Sequence, residues 1–124
     1  MCGIGGMLGN PDIAVVRRMN QLQLHRGPDG QNVWSDDNVA FGHTRLAIVD
    51  VHGSQQPIHG SNERTLIVNG EIYNHLEIRD ELEKENPLIQ WKSTSDTETL
   101  LEAFDQWGIN STLPRVRGMF AIAL

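Results

Sequence analysis

Short extended segments outnumber helical ones by roughly seven to three along this chain, and they come in adjacent runs. That ordering favours antiparallel sheets in an α+β fold over a doubly wound parallel sheet, where strands and helices alternate. Cys2 to Leu8 is short, apolar and glycine-rich, and reads as a strand whose backbone lies close to something. Asn10-Pro11 reads as an N-cap followed by proline at the first helical position. A stripe through Ile13, Val16, Met19 or Asn20, and Leu24 then carries a helix to about His25. After the turn residues His25 to Gly30, strands are expected over 32–34 and 39–44, turning at Asp36-Asp37-Asn38. Arg45 to Val51 reads as extended, and His52 to Asn62 as a polar loop. A strand from Arg64 to Val68 is expected to end at Asn69-Gly70. Asn74 is placed to cap a helix over 75–85, and Leu88 to Trp91 reads as a short strand. Ser95 and Glu98 have capping-box spacing ahead of a helix that buries Leu100, Leu101, Phe104 and Trp107 and stops at Gly108. The apolar strand from Gly118 to Leu124 suggests a cut inside a larger domain.

At 124 residues, 39 % of them hydrophobic, the chain is one domain or part of one, with enough apolar side chains for a core. The net charge of −6 and the lack of a basic block argue against nucleic acid as a partner. No apolar run is long enough to span a membrane, and the start lacks the charged and apolar regions of a signal peptide. A single cysteine fits a reducing cytoplasm. The five histidines, at positions 25, 43, 52, 59 and 75, fall in no metal-ligand spacing, so no metal is expected and each reads as structural or surface.

That single cysteine stands directly behind Met1. Once Met1 is removed, Cys2 carries a thiol nucleophile and a free α-amine, whose reference pKa of about 8 suits a general base at neutral pH. Acyl transfer also needs an oxyanion hole and a substrate clamp. Asn69-Gly70, at the end of a buried strand, offers a side-chain amide and a backbone N–H, although a β-turn is the commoner use of that dipeptide. Arg45 has the planar fork that holds a carboxylate, and Asp96 opens a helix; each has an ordinary reading as a salt bridge or a first-turn acid. One cation beside one anion suits an α-amino acid.

Six segments in order complete the pattern: Met1-Cys2-Gly3-Ile4, His25-Arg26-Gly27-Pro28-Asp29, Arg45-Leu46-Ala47-Ile48-Val49-Asp50, Asn69-Gly70-Glu71-Ile72-Tyr73-Asn74-His75, Ser95-Asp96-Thr97-Glu98, and Gly118 to Leu124. On these the chain resembles the class II (N-terminal nucleophile, or Ntn) glutamine amidotransferase domain of glutamine-hydrolysing asparagine synthetases. The resemblance implies an Ntn-hydrolase αββα sandwich, with residues 1–124 a partial domain truncated at its C-terminal end and the synthetase domain absent. It implies Cys2 as nucleophile, Asn69 and Gly70 as oxyanion hole, Arg45 on the glutamine α-carboxylate, Asp96 with Glu71 on the α-ammonium, and Val49 lining the pocket. No cofactor is implied in this chain; ATP and Mg2+ belong to the missing synthetase domain, which would make asparagine from aspartate. Glutamine is the implied substrate and the synthetase domain the implied partner, with a homodimer as an option. A related enzyme with another acceptor, and a non-catalytic module keeping the fold, remain open alternatives. A nucleotide-binding loop is not, because Gly3, Gly5, Gly6 and Gly9 do not fit the dinucleotide spacing and no strand precedes them.

Overall fold

The computed structural model describes residues 1–48 and 55–124. The strands are β1 (Gly3–Leu8), β2 (Gly30–Ser35), β3 (Val39–Arg45), β4 (Ile58–His59), β5 (Thr65–Ile72) and β6 (Gly118–Ala123). The helices are α1 (Ile13–Leu22), α2 (His75–Glu85), α3 (Asp96–Trp107) and the single turn α4 (Ile109–Thr112), which runs into a 3-10 turn at Leu113–Arg115. Two antiparallel sheets result, ordered β1-β3-β2 and β4-β5-β6. Helix α1 lies on the first sheet, α3 packs on β4 and β5 of the second with α2 beside it, and β5 faces β1 and β3 between them. The layers therefore read α, β, β, α. The α+β reading of the sequence holds.

The larger core fills the space between the second sheet and its helices. Leu66, Val68 and Ile72 of β5 meet Ile78 and Leu82 of α2 and Leu100, Leu101, Ala103 and Phe104 of α3, all buried. Strand alternation puts those three β5 residues toward the helices and turns Ile67 and Asn69 toward the first sheet. On β3, Gly42 lies against Asn20 and Val16 of α1, where a Cβ would come within 2.4 Å of Asn20 Oδ1. Gly42 and Thr44 thus face α1, while Phe41, His43 and Arg45 face the other way, toward the second sheet.

Several local expectations are corrected. Asp12, not Asn10, caps α1: it is extended, and the Ala14 N–H donates to its Oδ1 at 2.8 Å, so Pro11 precedes the helix. The helix also stops at Leu22, short of His25. Residues 88–91 form no strand, because Ile89 and Trp91 pack their side chains on the core while the Lys92 and Ser93 N–H groups donate to the Glu98 carboxylate. That use of Glu98 leaves only half of the capping box, the Glu98 N–H donating to Ser95 Oγ at 3.2 Å. Asn74 sits at the N-cap of α2 but makes no cap bond; its amide donates to Arg115 O and accepts from Arg117 N, tying α2 to the approach to β6. The loop expected over 52–62 contains β4, and its first three residues lie outside the described ones.

The largest departure concerns Asn69-Gly70, which neither turns the chain nor ends the strand. β5 runs through them to Ile72, paired with β6 from Ile67 onward. Gly70 is needed there for a close approach: a Cβ would lie 2.0 Å from Met119 O.

Candidate active site

A cavity of about 110 Å³ opens where the two sheets and the start of α3 meet. Five of the residues singled out in the sequence line it, contributed by separate segments: Cys2 ahead of β1, Arg45 at the end of β3, Gly70 and Glu71 on β5, and Asp96 at the first turn of α3. Asn69 lies beside them on β5, half-buried, but its side chain is not part of the lining; its Oδ1 is buried without a hydrogen-bond partner among the described residues. Val49 lies outside the described residues.

Cys2 is half-buried and held by its neighbours. The Leu46 N–H donates to Cys2 Sγ at 3.3 Å, and the Leu46 carbonyl lies 3.8 Å from the sulfur as an acceptor for the thiol. The segment after β3, read as more strand, instead leaves the ladder at Arg45 and uses its N–H groups for the site. Leu46 addresses the sulfur, and Ala47 N–H donates to Asp29 Oδ2 at 2.8 Å. The Asp29 N–H in turn donates to Arg45 O at 2.9 Å, and Arg26 Nε donates to Cys2 O at 3.4 Å. The run from His25 to Asp29, read in sequence as turn chemistry and as one of the six matching segments but given no role, thus clamps both the nucleophile and the strand end that carries Arg45.

Asp96 is fixed by position and partner. Ser95 is the N-cap of α3, so Asp96 sits in the first helical turn, where exposed N–H groups favour a negative charge. The Ile72 N–H donates to its Oδ2 at 2.9 Å, which joins α3 to the end of β5. Arg45 and Asp96 therefore present opposite charges to one cavity, with the exposed Glu71 at its edge.

Two polar side chains of the lining were not anticipated. Gln56, nearly buried, accepts from Val68 N at 2.6 Å and donates to Thr97 Oγ1 at 3.4 Å, bridging β5 to α3. His43 is 1 % exposed. Its pKa is lowered to about 4, mainly by burial, with a hydrogen bond to the Val68 backbone working the other way and the neighbouring Arg45 charge adding to the lowering. The ring is therefore neutral at neutral pH. One sequence signal could have found it: at strand spacing, His43 shares a face with Arg45. Gln56 gave no such signal, being a polar residue in a polar loop. Among the described residues no three His, Cys, Asp or Glu side chains gather where they could hold a metal ion, and no helix is long and apolar enough to cross a membrane.

Comparison with known proteins agrees with this geometry. A family model described as glutamine amidotransferase domain matches residues 1–124. Over 132 residues the chain is 36 % identical to asparagine synthetase [glutamine-hydrolyzing] 1 of Bacillus subtilis (strain 168), with all of this chain and 20 % of that protein covered. Over 130 residues it is 38 % identical to asparagine synthetase B [glutamine-hydrolyzing] of Escherichia coli (strain K12), covering all of this chain and 23 % of that protein. The chain spans about a fifth of the length of the curated relatives it matches. The fold is shared with glutamine phosphoribosylpyrophosphate amidotransferase from B. subtilis, solved with ADP and GMP, at a TM-score of 0.74 and 21 % identity over 98 % of this chain and 34 % of that one. With the family model matched from end to end and these relatives aligned over all of it, the chain belongs to the glutamine amidotransferase domain family.

Proposed function

We propose that this domain hydrolyses glutamine to glutamate and ammonia through a thioester on Cys2. The observation that carries the reading is the cavity itself, where one nucleophilic sulfur shares about 110 Å³ with an Arg45 guanidinium and an Asp96 carboxylate. Arg45 takes the α-carboxylate of glutamine in its planar fork. Asp96, with Oδ2 engaged by Ile72 N–H, turns its other oxygen to the α-ammonium, and Glu71 adds negative charge at the rim. Glutamine is thereby held by its amino-acid end, with the side-chain amide toward Cys2. Val49, beyond the described residues, completes the lining in this reading.

The chemistry follows from the groups present. Removal of Met1 frees the Cys2 α-amine. The amine takes the thiol proton directly or through water, and the sulfur attacks the amide carbon. As the C=O bond becomes C–O⁻, Gly70 N–H and, with its side chain turned from the position beside the cavity into it, Asn69 Nδ2–H donate to the oxygen, at roughly 3 kcal/mol per donor. The C–N bond then breaks, the ammonium group returns its proton to the departing nitrogen, and ammonia leaves a γ-glutamyl thioester. Water attacks the thioester, the sulfur departs, and glutamate is released. The ammonia serves asparagine synthesis from aspartate in a synthetase domain of the full-length protein, a reading supported by the curated relatives. ATP with Mg2+ would activate the aspartate carboxylate in that domain, away from these residues. A single thiol that must stay reduced supports a cytoplasmic location in this reading.

Exposure to 6-diazo-5-oxo-norleucine, an electrophilic glutamine mimic, tests the reading by intact mass. Loss of Met1 with one adduct on Cys2, blocked by excess glutamine, is the expected result. A processed chain that takes no adduct would reject glutamine hydrolysis in favour of a non-catalytic module. Kinetics separate the two roles around the nucleophile. Arg45→Lys raises the KM for glutamine more than it lowers kcat, whereas Asn69→Ala lowers kcat with little change in KM.

A further inference from the structure

His43 Nε2 is buried, lies in a side chain that lines the Cys2 cavity, and has no hydrogen-bond partner among the described residues. Such an atom is uncommon in a folded protein, because an unmet buried polar group is unfavourable and most find a partner. The ring already meets the Val68 backbone. Since Nε2 has no partner, Nδ1 is the nitrogen that faces the Val68 carbonyl and carries the proton. Nε2 is then a bare acceptor. It sits two residues before Arg45 on the same face of β3, and both side chains line the Cys2 cavity, so a ligand held by Arg45 with its far end at Cys2 occupies the space that His43 borders. In glutamine the far end is a carboxamide, whose NH2 group offers two donors.

We propose that His43 Nε2 accepts a hydrogen bond from the side-chain NH2 of glutamine and so selects an amide over an acid or an ester at this site. The assignment rests on the glutaminase reading above and deepens it. A glutamate carboxylate brings no hydrogen to Nε2 and sets lone pair against lone pair, so the product is disfavoured where the substrate is held. An ester brings no donor either. The same bond fixes the rotation of the amide, which places its oxygen opposite the NH2 and toward the Asn69-Gly70 side of the cavity. The ring needs to be neutral for this, and burial together with the Arg45 charge keeps it so.

The test compares two substrates in the full chain with Met1 removed: glutamine, and glutamate γ-methyl ester, which lacks the N–H. His43→Leu is expected to lower kcat/KM for glutamine by roughly tenfold to a hundredfold while changing that for the ester by less than about twofold. His43→Gln, which keeps an acceptor on a side chain of similar reach, is expected to recover part of the loss. A merely structural role would lower both substrates together, and equal losses in a wild type active on both would overturn the His43 assignment while leaving the glutaminase reading intact. A wild type inert toward both would overturn that reading and this one with it. Nitrogen-15 NMR of the ring decides independently of turnover and of how the variants fold. The Nδ1–H tautomer is expected in the wild type, and the Nε2–H tautomer would overturn the proposal.

Discussion

Around β5 the interior is hydrocarbon: nine buried apolar residues from β5, α2 and α3 form one cluster. Around β3 it is backbone and polar groups. There α1 approaches so closely that a Cβ at residue 42 would meet Asn20 and Val16, and the buried apolar side chains reduce to Val16, Ala40, Phe41 and the Ile67 that β5 turns toward this sheet. Between them stand Asn20, whose amide donates to Asn32 O and His43 O, then Thr44, and His43 with an unmet nitrogen. Each sheet has three antiparallel strands, yet one is organised for burial and the other for position. Hydrophobic burial is strong and tolerant of small shifts, while hydrogen bonds through glycine-close backbones are weaker and set geometry to fractions of an ångström. The nucleophile sits on the second kind of support.

The largest effect that sharpens this contrast is Cys2→Ala. Glutamine turnover should fall by roughly 10,000-fold or more, as when a nucleophile is removed from a unit that works together, with the thermal melt unchanged. Turnover near wild type would remove Cys2 from the mechanism. Phe104→Ala is the converse experiment in the hydrocarbon half. Phe104 is 1 % exposed at the centre of the cluster, and its truncation should lower unfolding free energy by about 3–5 kcal/mol in chemical denaturation. Under conditions where the variant stays folded, its KM for glutamine should match the wild type. A large KM change would mean that the two halves are not separable.

Next in size is an acid response. His43 titrates near 6.5 in an unfolded chain and at about 4 when folded. Above pH 6.5 both states are neutral and the group adds no pH dependence. As pH falls from 6.5 toward 4 the unfolded chain takes up the proton and the folded one does not, so stability is lost across that window. The total reaches roughly 3 kcal/mol and levels off below the folded value. His43→Gln should remove this component, so wild type and variant denaturation midpoints should diverge progressively between pH 6.5 and 4. Parallel curves would mean that His43 is not buried neutral.

Much of this was legible in the sequence for an identifiable reason. Ser95, Leu100, Leu101 and Phe104 announce α3 because cap and stripe are local signals, and Cys2, Arg45, Gly70 and Asp96 could be gathered because their chemistry is unusual in combination. The misreadings share the opposite property. Asn69-Gly70 looks like a turn by local rules, but the approach of Met119 O, a contact made 49 residues away, holds it inside a strand. Residues 88–91 have strand composition, but a helix carboxylate takes the following N–H groups. Asn74 looks like a cap and is instead consumed by Arg115 and Arg117. His43 looks like any core histidine until its unmet nitrogen and its cavity are seen together.

The smallest effect gives the finest cut, because it compares one interaction placed in both halves. Asp12 caps α1 and Ser95 caps α3, each accepting from a first-turn N–H, at 2.8 and 3.2 Å respectively. Replacing either by alanine should lower stability by about 1 kcal/mol, the usual effect of losing one cap bond. Their consequences for activity should differ. Ser95 is buried, its Oγ also meets Ser93 Oγ at 2.9 Å, and the next residue is Asp96, so loosening this cap loosens the carboxylate assigned to the glutamine ammonium. Asp12 stands at the far end of α1, on the outer layer. Ser95→Ala should therefore raise the KM for glutamine severalfold, whereas Asp12→Ala should leave it unchanged at equal loss of stability. If both variants shift KM alike, the site senses global stability and Asp96 owes nothing particular to its cap. If neither does, the Ile72 N–H alone is enough to hold the carboxylate in place.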